Sequence, residues 1–143
     1  SGEPLPALKL AQTGTAREGW QLYLTGFPLG PVLGLYPVTQ RAGLAAIAPR
    51  FTPLTRAGRL DADVIRAARA PFPIYMLDAV AYPGHSGSPL WRAETGEVLG
   101  VVNSVLVKGS KEAALAAPSG ISYAIPVSYV EALLTRAQGS GTP

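Results

Sequence analysis

The stretch "AYPGHSGSPLWRAETGEVLGVV", residues 81–102, decides how the rest of the chain is read. Its second half holds the apolar run "SPLWRA" (88–93) and the opening of "EVLGVVNSVLVKG" (97–109), joined through Glu94-Thr95-Gly96, which reads as a β-hairpin. Its first half packs Gly84, His85, Ser86, Gly87, Ser88 and Pro89 into one tight turn. Gly84 and Gly87 permit the dihedrals such a turn needs, and Pro89 stiffens its exit. Attack by a serine on an amide carbonyl creates an oxyanion. Backbone N–H groups held in a turn meet it without reorganising, each worth about 3 kcal/mol in the transition state. The hydroxyl also needs a base to take its proton, and the chain has one histidine, His85, next to Ser86. Neighbours on a tight turn point their side chains apart, so His85 is expected to be structural. On its own the motif is also compatible with an ordinary strand connection.

Outward from this turn the pattern stays short and apolar. "WQLYLTG" (20–26) alternates as a strand does and stops at Gly26-Phe27-Pro28. "VLGLYPVTQRAGLAAIAP" (32–49) reads as two strands broken between Gln40 and Gly43, and "FPIYMLDAV" (72–80) as a strand leading into the serine turn. "LDADVIRAARAP" (60–71) reads as a loop or a helical turn, and "GISYAI" (120–125) as a strand after an alanine-rich loop. One helix is expected, from about Tyr129 to Ala137. Ser128 and Glu131 are spaced as a capping box, Val127 can act as a staple, and Val130, Leu133, Leu134 and Ala137 share a face. The fold class is therefore all-β: a six- to seven-stranded antiparallel β-barrel with a C-terminal α-helix packed outside it. Residues 1–143 are expected to form a single domain, with 137–143 as a flexible tail.

Composition bounds the chemistry. Apolar residues make up 48% of the 143 residues and charged residues 15%, which describes one globular domain. The absence of cysteine excludes a disulfide scaffold, a thiolate metal site and a cysteine nucleophile. No metal-ligand cluster, phosphate loop or paired carboxylate stands out, so no cofactor is expected, and no run reaches a transmembrane length. The net charge of +3 is carried in part by Arg50, Arg56, Arg59, Arg66 and Arg69, with Phe51 the only aromatic directly among them. This reads as a solvated loop rather than a nucleic-acid surface. The start "SGEPLPALKL" reads as a cut end.

Together these segments resemble the second half of a bacterial trypsin-like (chymotrypsin-fold) serine peptidase of the high-temperature-requirement (Deg) type. "LPALKLAQTGTAREGWQLYLTGFPLG" is similar to that family's segment after the catalytic aspartate, ending in its Gly-x-Pro-x-Gly turn. "MLDAVAYPGHSGSPLW" resembles the nucleophile region, with Asp78 eight residues before Ser86. "GEVLGVVNS" and "GISYAIPVSYVEALL" resemble the strands and helix that follow, so the likeness covers residues 4–136.

The resemblance implies a serine endopeptidase acting on an extended polypeptide, with Ser86 as nucleophile and the N–H groups of Gly84 and Ser86 as oxyanion hole. It places Val80 at the base of the pocket for the residue before the scissile bond. Asn103, Ser104 and Val105 would pair with substrate backbone, and Gly120, Ile121 and Ser122 would form the far wall. The catalytic histidine and aspartate would lie on an N-terminal barrel of the same protease, the missing half and a partner of this one. The setting implied is periplasmic or secreted, and the segment 55–71, without that barrel's support, is expected to be among the less ordered residues or to lean on a neighbouring chain. Where the animal enzymes keep an aspartate to hold a freed amino terminus, His85 implies that this switch is absent. Two other readings stand beside it. The chain could be a catalytically inactive, protease-like peptide-binding module. It could also be a serine–lysine hydrolase, which would need Lys9, Lys108 or Lys111 at Ser86, although each reads as a surface residue. Asp78 is expected to be a buried carboxylate accepting backbone N–H bonds.

Overall fold

A computed structural model of the chain describes residues 3, 5–29, 34–49, 73–103 and 120–139. Six strands follow one another: β1 (Gln21–Gly26), β2 (Val38–Pro49), β3 (Pro73–Asp78), β4 (Pro89–Trp91), β5 (Val98–Val102) and β6 (Ile121–Pro126). Among the described residues one helix, α1 (Val127–Gly139), follows them. The strands form a closed barrel in the order β1-β2-β3-β6-β5-β4, and every neighbouring pair is antiparallel. Closure leaves no free edge, which is how a small all-β domain avoids pairing with its neighbours.

Alternation sets the inside of the barrel. Leu22 and Leu24 of β1, Ala42 and Leu44 of β2, Leu77 of β3, Leu90 of β4, Leu99 and Val102 of β5 and Ala124 of β6 form its core. Outside, Tyr23 lies against Trp91 with ring centroids 5.2 Å apart, and the Trp91 indole N–H donates to Thr25 Oγ1 at 3.0 Å. The hairpin expected at Glu94-Thr95-Gly96 is present, closed by Arg92 N–H to Glu97 O (3.0 Å) and Gly96 N–H to Arg92 O (2.7 Å).

Three expectations are corrected. The break between Gln40 and Gly43 does not occur: β2 is one strand of 12 residues. It pairs with β1 through that stretch and with β3 from Gly43 onward, the irregularity falling later, between Leu44 and Ala46. Two flanking ladders outweigh the weak strand preference of a single glycine. The helix starts at Val127, ahead of the capping box, and the Glu131 carboxylate accepts a bond from Thr13 Oγ1 (2.6 Å), tying the helix to the N-terminal segment. Its apolar face is also largely uncovered: Val127 is buried, but Leu133 and Leu134 are 65% and 49% exposed. The segments 55–71 and 104–119 lie outside the described residues, as do Lys108 and Lys111.

The register gathers one set of strand ends together. Gly26 pairs with Val38, Asp78 with Ile121 and Pro89 with Val101, so β1, β3 and β5 finish where β2, β4 and β6 begin. The helix leaves β6 at the opposite end. The connection from β3 to β4, residues 79–88, must cross the first end, because β3 lies between β2 and β6 while β4 lies between β5 and β1.

Candidate active site

That crossover is two β-turns in succession. The His85 N–H donates to Tyr82 O at 3.0 Å and the Ser88 N–H to His85 O at 3.0 Å, so His85 ends the first turn and begins the second. Each turn has glycine in its third position at positive φ, Gly84 at 102° and Gly87 at 89°. The first has proline in its second position, the pattern of a type II turn. A Cβ on Gly84 would also run into the Phe27 carbonyl oxygen.

The neighbouring strands hold both turns. The Gly87 N–H donates to Val102 O and the Val102 N–H to Ser88 O, each at 2.9 Å, fixing the second turn to the end of β5. The Leu29 N–H donates to Pro83 O at 2.9 Å, fixing the first to the chain leaving β1. Leu29 is the one non-glycine residue among those described with positive φ, 51°. That conformation is uncommon for a branched side chain and here it serves the anchor. The Pro83–Gly84 peptide is trans, so with the Pro83 carbonyl turned toward Leu29 the Gly84 N–H points the other way.

Side chains diverge along the turn, as expected from the sequence. His85 is fully buried, whereas Gly84, Ser86 and Gly87 are exposed. The His85 Nδ1 accepts the Tyr82 N–H at 3.0 Å, and its Nε2 is buried without a partner among the described residues. Burial pushes the imidazole below its ordinary pKa of 6.5.

The other expected site residues stand at the same end. Val80 is half-buried just past β3, and Asn103, half-buried, donates its N–H to Tyr123 O at 2.8 Å. Gly120 is exposed and Ile121 is 46% exposed at the start of β6. Ser122 is buried, its hydroxyl donating to the Ala79 carbonyl behind the crossover. Ser104 and Val105 lie outside the described residues. Asp78 corrects an expectation: it is exposed at the end of β3, because the strand's alternation turns Leu77 inward and Asp78 outward. Lys9 is 75% exposed and paired with Glu97 at 2.8 Å. The Leu29–Pro83 anchor and the imidazole–Tyr82 bond were not foreseen. An isolated histidine in a glycine-rich turn was the only signal of the second.

Comparison with known proteins bears on this arrangement. No curated protein sequence matches the chain significantly. Among solved structures, an inactive form of Rv3671c from M. tuberculosis H37Rv carrying a serine-to-alanine mutation has a TM-score of 0.63 at 20% identity, covering 98% of this chain and 57% of that one. The HtrA-type protease AlgW with a tripeptide gives 0.65 at 20% identity, covering 94% of this chain and 36% of that one. Its serine-to-alanine variant with a decapeptide gives 0.66 at 20%, covering 96% and 34%. These similarities establish a common fold over a part of each longer chain. The family itself comes from the sequence: residues 1–101 match the model of the trypsin-like peptidase domain, and the chain belongs to that family.

Proposed function

We propose that this chain is the C-terminal barrel of a serine endopeptidase, with Ser86 as its nucleophile. The observation that carries the reading is the double turn at 82–88, which exposes Ser86 and directs the Gly84 N–H away from the Leu29 anchor. In the mechanism, Ser86 Oγ attacks the scissile carbonyl while a base takes its proton, and the N–H groups of Gly84 and Ser86 receive the oxyanion. The amine leaves with that proton, and water then hydrolyses the serine ester by the same path in reverse. The base and the carboxylate that orients it belong to an N-terminal barrel of the same protease. His85 cannot take the role, because its ring is buried with Nδ1 engaged by Tyr82.

The pocket before the scissile bond would be formed by Val80, Asn103, Ser104, Val105, Gly120 and Ile121, none of them charged. An unpaired substrate charge there costs several kcal/mol, whereas an aliphatic side chain gains about 1.5–3 kcal/mol. Valine, alanine and leucine are therefore the expected residues at that position. A peptide-library profile dominated by arginine, lysine or glutamate would overturn the assignment.

The buried histidine also favours a second reading, a catalytically inactive, protease-like module that binds peptide. A fluorophosphonate probe separates the two. Ser86 should react poorly in the 143-residue chain and rapidly in a protein that adds the N-terminal barrel. Persistent inertness in the longer protein would favour the binding module.

A further inference from the structure

His85 is the one imidazole of the chain, and its surroundings give it more to do than fill space. It binds both backbone polar atoms of Tyr82: its own N–H donates to the Tyr82 carbonyl and its Nδ1 accepts the Tyr82 N–H, each at 3.0 Å. Tyr82 is the first residue of the turn that orients the Gly84 N–H, so the imidazole closes that turn from inside. A ring nitrogen that accepts an N–H bond carries no proton. The proton of neutral His85 must therefore sit on Nε2, the nitrogen that is buried without a partner among the described residues.

We infer that His85 is a positioning residue for the oxyanion turn, holding it through a neutral imidazole protonated on Nε2, so that acid releases the turn. This rests on the proposed role of Gly84 and Ser86.

Protonation would place an Nδ1–H against the Tyr82 N–H, two donors facing each other, and would put an unpaired charge in a site with no access to water. Gly26 of β1, Ser88 and Tyr82 stand around the ring. The Tyr82 phenol, with its ring centroid 6.3 Å away, is the titratable group shown facing it among the described residues. Burial is the cause that lowers the imidazole, and no charged neighbour among the described residues contributes. None of the described residues therefore compensates the charged form, and the turn must open for the proton to bind. The Gly84 N–H is then no longer held in the direction that the proposed oxyanion hole requires.

The 143-residue chain itself supplies the first test, since its imidazole nitrogen spectrum contains a single histidine. The Nε2–H tautomer should persist from pH 8 to below 6.5, the ordinary imidazole midpoint. An Nδ1–H tautomer, or a midpoint at or above 6.5, overturns the inference. The second test compares His85→Asn, whose Oδ1 can accept the Tyr82 N–H, with His85→Leu, which offers no acceptor. The Tyr82 amide should exchange about tenfold or more faster in H85L than in H85N, with the Leu22 and Leu77 amides as controls for folding. Equal exchange in the two folded variants overturns it. If H85L does not fold, the spectrum of the unmodified chain still decides.

In a protein bearing the N-terminal barrel, H85L should lose kcat at least tenfold with KM little changed. H85N should keep kcat within a few-fold and show a shallower acid decline than the unmodified protein, the part that remains belonging to the catalytic base. Full activity in H85L, or equal loss in both variants, overturns the positioning role. Inactivity of the unmodified longer protein at every pH, with the Nε2–H tautomer intact, refutes Ser86 as nucleophile instead.

Discussion

At the serine end of the barrel the chain turns twice between Tyr82 and Ser88, leaves Gly84, Ser86 and Gly87 exposed, and buries the ring of His85. At the opposite end a 13-residue helix with an amphipathic pattern buries Val127 and leaves Leu133 and Leu134 largely in solvent. Beside its start, Thr13, Arg17, Tyr75 and Ser128 line an open cleft of about 320 Å³. The turn has little apolar surface to bury and is held by directed bonds: Leu29 to Pro83, Gly87 to Val102, and Tyr82 to His85. The helix has the apolar residues and uses few of them within the described part of the chain. Precision in this molecule comes from backbone hydrogen bonds with fixed directions, and apolar patterning supplies bulk without fixing orientation.

The contrast is most sharply tested at Ser86. Ser86→Ala should leave stability unchanged, since the side chain is exposed. It should cost about 10⁶ in kcat in a protein that carries the base, as loss of a serine nucleophile does elsewhere. Activity retained at more than a thousandth would exclude Ser86 as nucleophile.

Next comes glycine against glycine. Gly84→Ala forces a side chain into positive φ and against the Phe27 carbonyl. About 1–3 kcal/mol of stability and roughly a hundred- to a thousandfold in kcat should be lost. Gly139→Ala at the end of the helix meets no atom within 4 Å and should shift stability by less than about 0.5 kcal/mol. Urea unfolding of both variants reads the difference, and equal effects would mean that the turn is not geometrically constrained.

Acid gives a smaller effect with a defined sign. The unfolded chain protonates its histidine near pH 6.5, whereas the folded chain resists because the ring is buried. Stability contributed by neutral His85 is complete above 6.5. It falls by at most about 1.4 kcal/mol per pH unit as pH drops toward the lowered folded pKa. Glu94, held down by a backbone hydrogen bond and by Arg92, and Glu97, held down chiefly by Lys9, titrate below this window. Urea midpoints between pH 7.5 and 5.5 should therefore decline in the unmodified chain and stay flat in His85→Asn. A flat profile in both would mean that the imidazole titrates normally.

The smallest effect belongs to the helix. Leu133→Ser should change the stability of the 143-residue chain by less than about 0.5 kcal/mol, its side chain being already largely in water. A loss above 2 kcal/mol would show that this face is covered in solution.

Much of the strand pattern was legible because alternation and turn residues act locally. Leu22 and Leu24 alternate with polar neighbours, Glu94-Thr95-Gly96 permits one connection, and Gly84 and Gly87 announce a turn. The continuity of β2 was not legible. Gln40 to Gly43 looks like a break until β1 and β3 are placed on either side of it. Nor was the exposure of Leu133, because a helical pattern identifies an apolar face and not what faces it. The opposite fates of His85 and Ser86 followed from their adjacency on a tight turn. The bond from Tyr82 to Nδ1 did not, and neither did the outward turn of Asp78.

By itself, then, the sequence determined a six- to seven-stranded class of barrel, a closing helix and the peptide turn that would carry a nucleophile. Periodicity and turn chemistry depend on residues within a few positions of one another. Only the tertiary structure decided that the β3–β4 crossover caps the end where Val80, Asn103, Gly120 and Ile121 gather. Only it decided that Leu29 adopts positive φ to hold Pro83, and that one imidazole nitrogen is bonded while the other has no partner among the described residues. The crossover and the Leu29 anchor depend on strand order and on a contact between residues more than fifty positions apart, and the Tyr82–His85 bond, though local, depends on the fold that buries the ring.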